Sequence, residues 1–224
     1  MAVELLPLAA LRSAEGLSTS AWVQAVGWTG QGFYFVRVMI QWIASERAKR
    51  PVAPEAFWYF SAAGAVFGSA YCLMREEFVM LPGFLMTLGI YLRNLWISTR
   101  GPETRRASPL FFLGVALLVA GGSYSLWILD EPSRAAPGTL WLVLGLAGQV
   151  CWIGRFLVQW RHAERHGKSE FPPAFWWLTI LGGSLNTLYS LHRLDLPLIF
   201  GFVLSWVAPA RNLMLHRKHQ RAAT

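Results

Sequence analysis

The chain has 224 residues, of which 54% are hydrophobic and 14% charged, with a mean hydropathy of +0.38. Soluble domains carry roughly 25% charged residues, so a soluble cytosolic enzyme, a disordered chain and a repeat solenoid are excluded. The net charge of +8 would point to nucleic acid in a soluble protein. Here the basic residues sit in short loops between apolar runs, as the positive-inside rule produces, and no nucleic-acid partner is expected.

Residues 1–21 hold a weak apolar stretch, Leu5–Leu11, preceded by Glu4 and lacking a basic leader. That composition predicts a short interfacial helix rather than a signal peptide. Seven apolar segments follow, at 22–43, 56–74, 78–97, 109–129, 140–160, 174–192 and 196–215. Each is long enough to cross a hydrocarbon layer of about 30 Å as a helix. The runs are continuous rather than alternating, which argues against a β-barrel. Cys72 and Cys151 both lie inside apolar segments and read as buried thiols.

Loop charge alternates along the chain. Arg47, Lys49 and Arg50 follow span 1; Arg100, Arg105 and Arg106 follow span 3; Arg161, Arg165 and Lys168 follow span 5; Arg217, Lys218 and Arg221 follow span 7. The opposite side holds only Arg12, Arg75, Arg134 and Arg193. The bias places the N-terminus outside and the C-terminus in the cytoplasm, which requires an odd number of spans.

The chain also repeats itself at an offset of 118 residues without a gap. Gly30-Gln31, Arg37, Gln41-Trp42 and Glu46-Arg47 match Gly148-Gln149, Arg155, Gln159-Trp160 and Glu164-Arg165. Further on, Ala56-Phe57-Trp58, Tyr71, Arg75 and Arg93-Asn94-Leu95 match Ala174-Phe175-Trp176, Tyr189, Arg193 and Arg211-Asn212-Leu213. Of 71 aligned positions, 21 are identical. Each copy covers three spans, an odd number, so a direct tandem would invert the second copy. The unmatched span 109–129 restores its orientation. The expected architecture is all-α and integral to the membrane, seven helices arranged as 3+1+3 with parallel repeats related by an axis along the membrane normal. Its parts are an N-terminal segment 1–21, a first repeat 22–98, a linker with helix 4 at 99–139, a second repeat 140–216 and a basic tail 217–224.

Ionisable residues inside membrane spans are costly and are functional candidates. Arg37, Arg93, Arg155 and Arg211 all fall one to two turns from the cytoplasmic ends of their spans. Arg37 and Gln41 are four residues apart and share a helix face, as do Arg155 and Gln159. Guanidinium groups flanked by amides suit a phosphorylated headgroup; the alternative is that each arginine snorkels to the interface. Gln31 and Gln149 are placed near the bilayer middle, either lining a cavity or bonding across helices. Asn94 and Asn212 follow two of the arginines and are read as bonding a neighbouring helix. Asn186 stands opposite Gly68 in the alignment and marks a pocket wall. Trp42, Trp58, Trp160 and Trp176 bracket the basic loops as an aromatic belt, and Glu46 and Glu164 are read as pairing with arginines in their own loops. His162 and His166 lack a third ligand beyond Glu164, so no metal or cofactor is expected. No nucleotide-binding glycine loop, G-x-S-x-G elbow or H-E-x-x-H is present.

The run G-Q-x5-R-x3-Q-W-x3-E-R, then P-x-A-F-W, Y-x-L-x-R and R-N-L, resembles the lipid A biosynthesis N-terminal domain family, which is similar to the PQ-loop and SWEET superfamily. The first copy shows it over Gly30–Arg47, Pro54–Trp58, Tyr71–Arg75 and Arg93–Leu95, and the second shows it 118 residues on. The resemblance implies a Gram-negative inner membrane and a link to lipid A or related glycolipids. One departure is that Tyr91 precedes the first R-N-L, whereas Pro209 occupies the second position and should bend span 7. The family label implies lipid-A-disaccharide synthase activity, but the glycosyltransferase domain that would carry it is missing from this sequence. The leading expectation is therefore a protein that binds an anionic lipid or lipid-linked sugar between its repeats and moves it across the bilayer. The alternatives are a SWEET-like transporter of small sugars or metabolites and a non-catalytic membrane subunit docked to a glycosyltransferase. The protein partners left open are that glycosyltransferase and a second copy of the chain.

Overall fold

The computed structural model describes residues 21–48, 52–100, 138–166, 172–207 and 209–211. Six helices make up this part: α1 Ala21–Ala48, α2 Glu55–Arg75, α3 Leu81–Arg100, α4 Thr139–His166, α5 Pro173–His192 and α6 Leu196–Leu204. The expected span 109–129, the N-terminal helix, Asn212 and the basic tail lie outside the described residues. Six of the seven expected spans fall on these helices. By length and composition, α2 and the Thr139–Gln159 part of α4 are apolar enough to cross a membrane. In α1, Gln31, Arg37 and Gln41 lower the mean hydropathy. Large apolar side chains nevertheless face outward on every helix, with Trp22, Leu140, Val150 and Leu196 each more than 60% exposed, while Gln149, Arg155 and Asn186 are buried.

Both α1 and α4 run 28 residues, longer than the expected spans. Hydropathy marks where the apolar run ends, whereas the helix continues through residues such as Glu46 and Arg47 that favour it intrinsically. At the far end, α6 gives way to a turn at Ser205 and Trp206 before helical residues resume. Pro209 has no N–H to return to Ser205, which accounts for the break.

Within each copy the central helix packs both neighbours, α1–α2–α3 and α4–α5–α6; between copies, α1 meets α6 and α3 meets α4. The central helices are suited to this by small residues. Ser61, Gly64, Ala65, Gly68 and Ser69 are buried on α2, and Thr179, Gly182, Gly183 and Ser190 on α5. Small side chains let helix backbones approach closely, the usual basis of packing where lipid removes the hydrophobic drive. Hydroxyls on these faces donate back to the preceding turn, as Ser69 does to Ala65 and Thr187 to Gly183, which satisfies them without water.

The two copies are joined by contacts that the 118-residue offset interchanges. Tyr71 donates to both oxygens of Asp195 at 2.9 Å, and Arg75 stands 3.6 Å from the same carboxylate. In return, Tyr189 donates to Glu77 at 3.3 Å and Arg193 at 2.7 Å. Each copy supplies the tyrosine and arginine that hold the other's carboxylate. The residue before each carboxylate, Glu76 or Leu194, is left-handed, with φ of 59° and 52°. This conformation is uncommon without glycine. It turns the chain so that the next amide bonds Cys72 or Ser190 and the carboxylate is carried across.

Further along, the glutamines are also exchanged. Gln31 lies against Gly201 and Gln149 against Gly83, so closely that neither glycine has room for a Cβ. Gln149 is fixed there by donating to Asn186 at 3.2 Å.

Two predictions follow from these exchanges. Gly83→Ala displaces the Gln149 amide from Asn186 and costs about 1–2 kcal/mol, measured as a lower apparent unfolding temperature in detergent; adding Gln149→Ala suppresses most of that loss. Burial pushes the carboxyls of Glu77 and Asp195 above the usual range, against the pull of their arginines. A raised folded-state value means that the stability tied to the bound proton is full below about pH 4 and is lost as pH rises through the folded value. Glu77→Gln should therefore flatten the pH dependence of unfolding above pH about 4.

Candidate functional site

Two adjoining cavities of about 50 and 90 Å³ lie between the copies. Their position follows from the face that α1 turns inward. Gln31, Tyr34, Arg37, Val38 and Gln41 recur at spacings of three and four, and all line one cavity or the other, as a single helical face requires. The smaller cavity takes in Gln31 and Gln149, the larger one takes in Gln41, Arg155 and Gln159, and Arg37 and Tyr91 border both.

Arg37 and Arg155 are equivalent under the offset, and their surroundings correspond residue by residue. The Arg37 guanidinium lies 4.5 Å from the Tyr34 ring centre and 5.6 Å from that of Phe57. Arg155 lies 3.5 Å from the Trp152 ring centre and 5.7 Å from that of Phe175. Rings in these positions hold a cation by its face and leave its edges for hydrogen bonds. Arg37 donates to Ser61 at 3.4 Å, and Arg155 to Thr179 at 3.4 Å. The correspondence fails at two residues: the Phe156 ring centre lies 4.7 Å from Arg155 where its counterpart is Val38, and Tyr91 has no equivalent beside Arg155. Arg37 also donates to the Tyr91 hydroxyl at 2.7 Å. Pro209, in the matching place, offers Arg155 nothing.

Arg155 is 5% exposed, and the Nε atoms of both arginines are buried without a hydrogen-bond partner. Among the described residues no carboxylate pairs with either arginine. Among the described residues two cations thus border one cavity with no carboxylate against them, an arrangement that favours an anion.

The other expected site residues lie elsewhere. Arg93 and Asn94 border neither cavity. Arg211 pairs with Glu46 of the first copy, which also accepts from Trp42 at 3.3 Å. The expected partners of Glu46 were Arg47 and Arg50, of which Arg50 lies outside the described residues; the resumed helix after α6 brings Arg211 to Glu46. Asn186 is fully buried and anchors Gln149 behind the cavity rather than lining it. Sequence reasoning missed Tyr34 and Trp152, Ser61 and Thr179, and Glu77 and Asp195. All six lie at the 118 offset as chemically similar, non-identical pairs, so matching by chemistry instead of identity would have found them. Among the described residues no group of three His, Cys, Asp or Glu is placed to hold a metal ion.

Comparison with known proteins agrees with this two-copy layout. The pattern of the Lipid A Biosynthesis N-terminal domain family matches twice, over residues 26–96 and 144–214. A lipid-A-disaccharide synthase of Chlamydia felis is 30% identical over 88% of this chain and 33% of its own length. Those of Chlamydia pneumoniae and Chlamydia trachomatis serovar D are each 28% identical, over 88% and 78% of this chain and 34% and 31% of their own lengths. The chain therefore spans about a third of the curated relatives that it matches. No solved structure matches it. Both copies carry the family's pattern, and the chain belongs to the Lipid A Biosynthesis N-terminal domain family.

Proposed function

We propose that this protein is a seven-span inner-membrane protein of the 3+1+3 plan, with its C-terminus in the cytoplasm, that binds an anionic lipid-linked substrate of lipid A or related glycolipid assembly between its two repeats. The observation that carries this reading is the convergence of Arg37 and Arg155 on one cavity with no carboxylate among the described residues against them. The outward-facing apolar side chains and the alternating loop charge support the membrane placement. The arginines lie toward the ends of α1 and α4 that lead into basic loops, which puts them at headgroup depth on the inner side. The opposite end is tied by the exchanged carboxylates, so the substrate reaches the cavity from the inner leaflet. Movement across the bilayer would require that tie to open.

A second reading draws on the relatives. Their names describe a glycosyl transfer, and about two thirds of their length lies beyond the part matched here. In this reading the chain presents its lipid to a separate glycosyltransferase without performing chemistry.

Native mass spectrometry of the protein in mild detergent, followed by extraction of the retained lipid, tests the first reading. The expected result is a phosphorylated glycolipid or polyprenyl phosphate whose retention falls at least about tenfold in Arg37→Gln and Arg155→Gln. A lipid-free protein, or one carrying bulk phospholipid indifferent to both substitutions, would move the reading to a small-solute transporter of the same plan.

A further inference from the structure

The charge around the larger cavity specifies more than an anion. We infer that the site selects a dianionic phosphate group, as in a phosphomonoester, over the singly charged phosphodiester of ordinary phospholipids; this rests on the anionic-substrate reading above. Arg37 and Arg155 contribute two positive charges to one cavity, and among the described residues no carboxylate neutralises either. A phosphodiester would leave one of them uncompensated, and a buried unpaired charge is strongly unfavourable. A phosphomonoester above its second ionisation, at about pH 6, balances both.

The geometry is consistent with a group of that size and shape. The cavity of about 90 Å³ holds a few water-sized groups, which suits a phosphate and excludes an acyl chain. Aromatic rings cover one face of each guanidinium, so the edges remain for phosphate oxygens. A phosphomonoester has three terminal oxygens, enough for two forked donors and a third contact. Tyr91 supplies that third contact. Its oxygen accepts from Arg37, which directs its own proton away from that arginine. Gln41 and Gln159 border the same cavity one helical turn beyond the arginines and can donate from their amides.

The two half-sites are unequal. Arg37 is already held by Tyr91 at 2.7 Å, whereas Arg155 has only a 3.4 Å contact to Thr179. Arg155 therefore gains more from the ligand and should matter more to its binding.

The test is competition on the wild-type protein in detergent, read by native mass spectrometry well above pH about 6. Phosphatidic acid and phosphatidylglycerol of identical acyl chains are offered together, with inorganic phosphate in a parallel arm. The expected result is at least about a tenfold preference for phosphatidic acid, reduced by Arg37→Gln and reduced further by Arg155→Gln. Arg155→Lys, which keeps the charge and loses the fork, should retain part of it. Equal binding of the two lipids would overturn the dianion inference while leaving the anionic-lipid reading intact. Binding of neither lipid would remove both. A preference that survives in both glutamine variants would place the selectivity elsewhere and overturn the assignment. Displacement of phosphatidic acid by inorganic phosphate at equal concentration would keep the dianion chemistry and reject the lipid headgroup as its source. A variant that fails to fold leaves the wild-type competition and Arg155→Lys to decide.

Discussion

The structure depends on an exchange of buried charge. Each three-helix repeat follows its central helix with a buried carboxylate, and although Asp195 also accepts from the Leu198 N–H of its own repeat, the other repeat supplies the tyrosine and arginine that hold each one. A carboxylate left alone in such a place is among the most unfavourable arrangements a folded chain can contain. The repeats are therefore not independent units that happen to touch. Each completes the other, at Glu77 and Asp195 and again where Gln31 and Gln149 fit over the glycines of the opposite copy. With the two copies tied at one end and interlocked at mid-depth, the space that remains between them opens toward the arginines.

Much of this was legible in the sequence because duplication writes the same constraint twice. The offset of 118 gave the copies, and the spacing of Gln31, Arg37 and Gln41 put them on neighbouring turns of one helix. The four arginines, however, looked alike by depth and are not alike by direction. Arg93 stands two residues from Tyr91, and two residues on a helix are about 200° of rotation. If Tyr91 faces the cavity, Arg93 has to face away. The same arithmetic separates Arg211 from Pro209. Depth follows from hydropathy, whereas direction needs one residue whose facing is already known.

The carboxylates were harder to see. Glu77 and Asp195 differ in identity and sit in a short turn between spans, where a charged residue arouses no suspicion. Only the packed helices reveal that these two carboxylates are buried. The left-handed residues Glu76 and Leu194 were equally hidden, since neither is the glycine that usually announces such a turn. Asn186 misled for a related reason. A polar residue without a counterpart reads as part of a pocket, yet Asn186 bonds Gln149, and at the matching Gly68 the space a side chain would take is filled by the Phe84 ring.

The replacement of Tyr91 by Pro209 acquires its meaning from covalent linkage. Two separate copies of one three-helix unit, assembled as a symmetric pair, would carry every substitution on both sides of the axis. A tyrosine lost from one wall would be lost from the other. Joining the copies in a single chain ends that obligation. One arginine could keep its tyrosine hydroxyl while the other was left with the longer threonine contact alone, without any change to the carboxylate exchange that holds the pair together. The axis survives in the scaffold and is broken at the cavity, and a broken axis gives the cavity a left and a right. A molecule whose two ends differ can then be held in one orientation, which no strictly symmetric pair can impose.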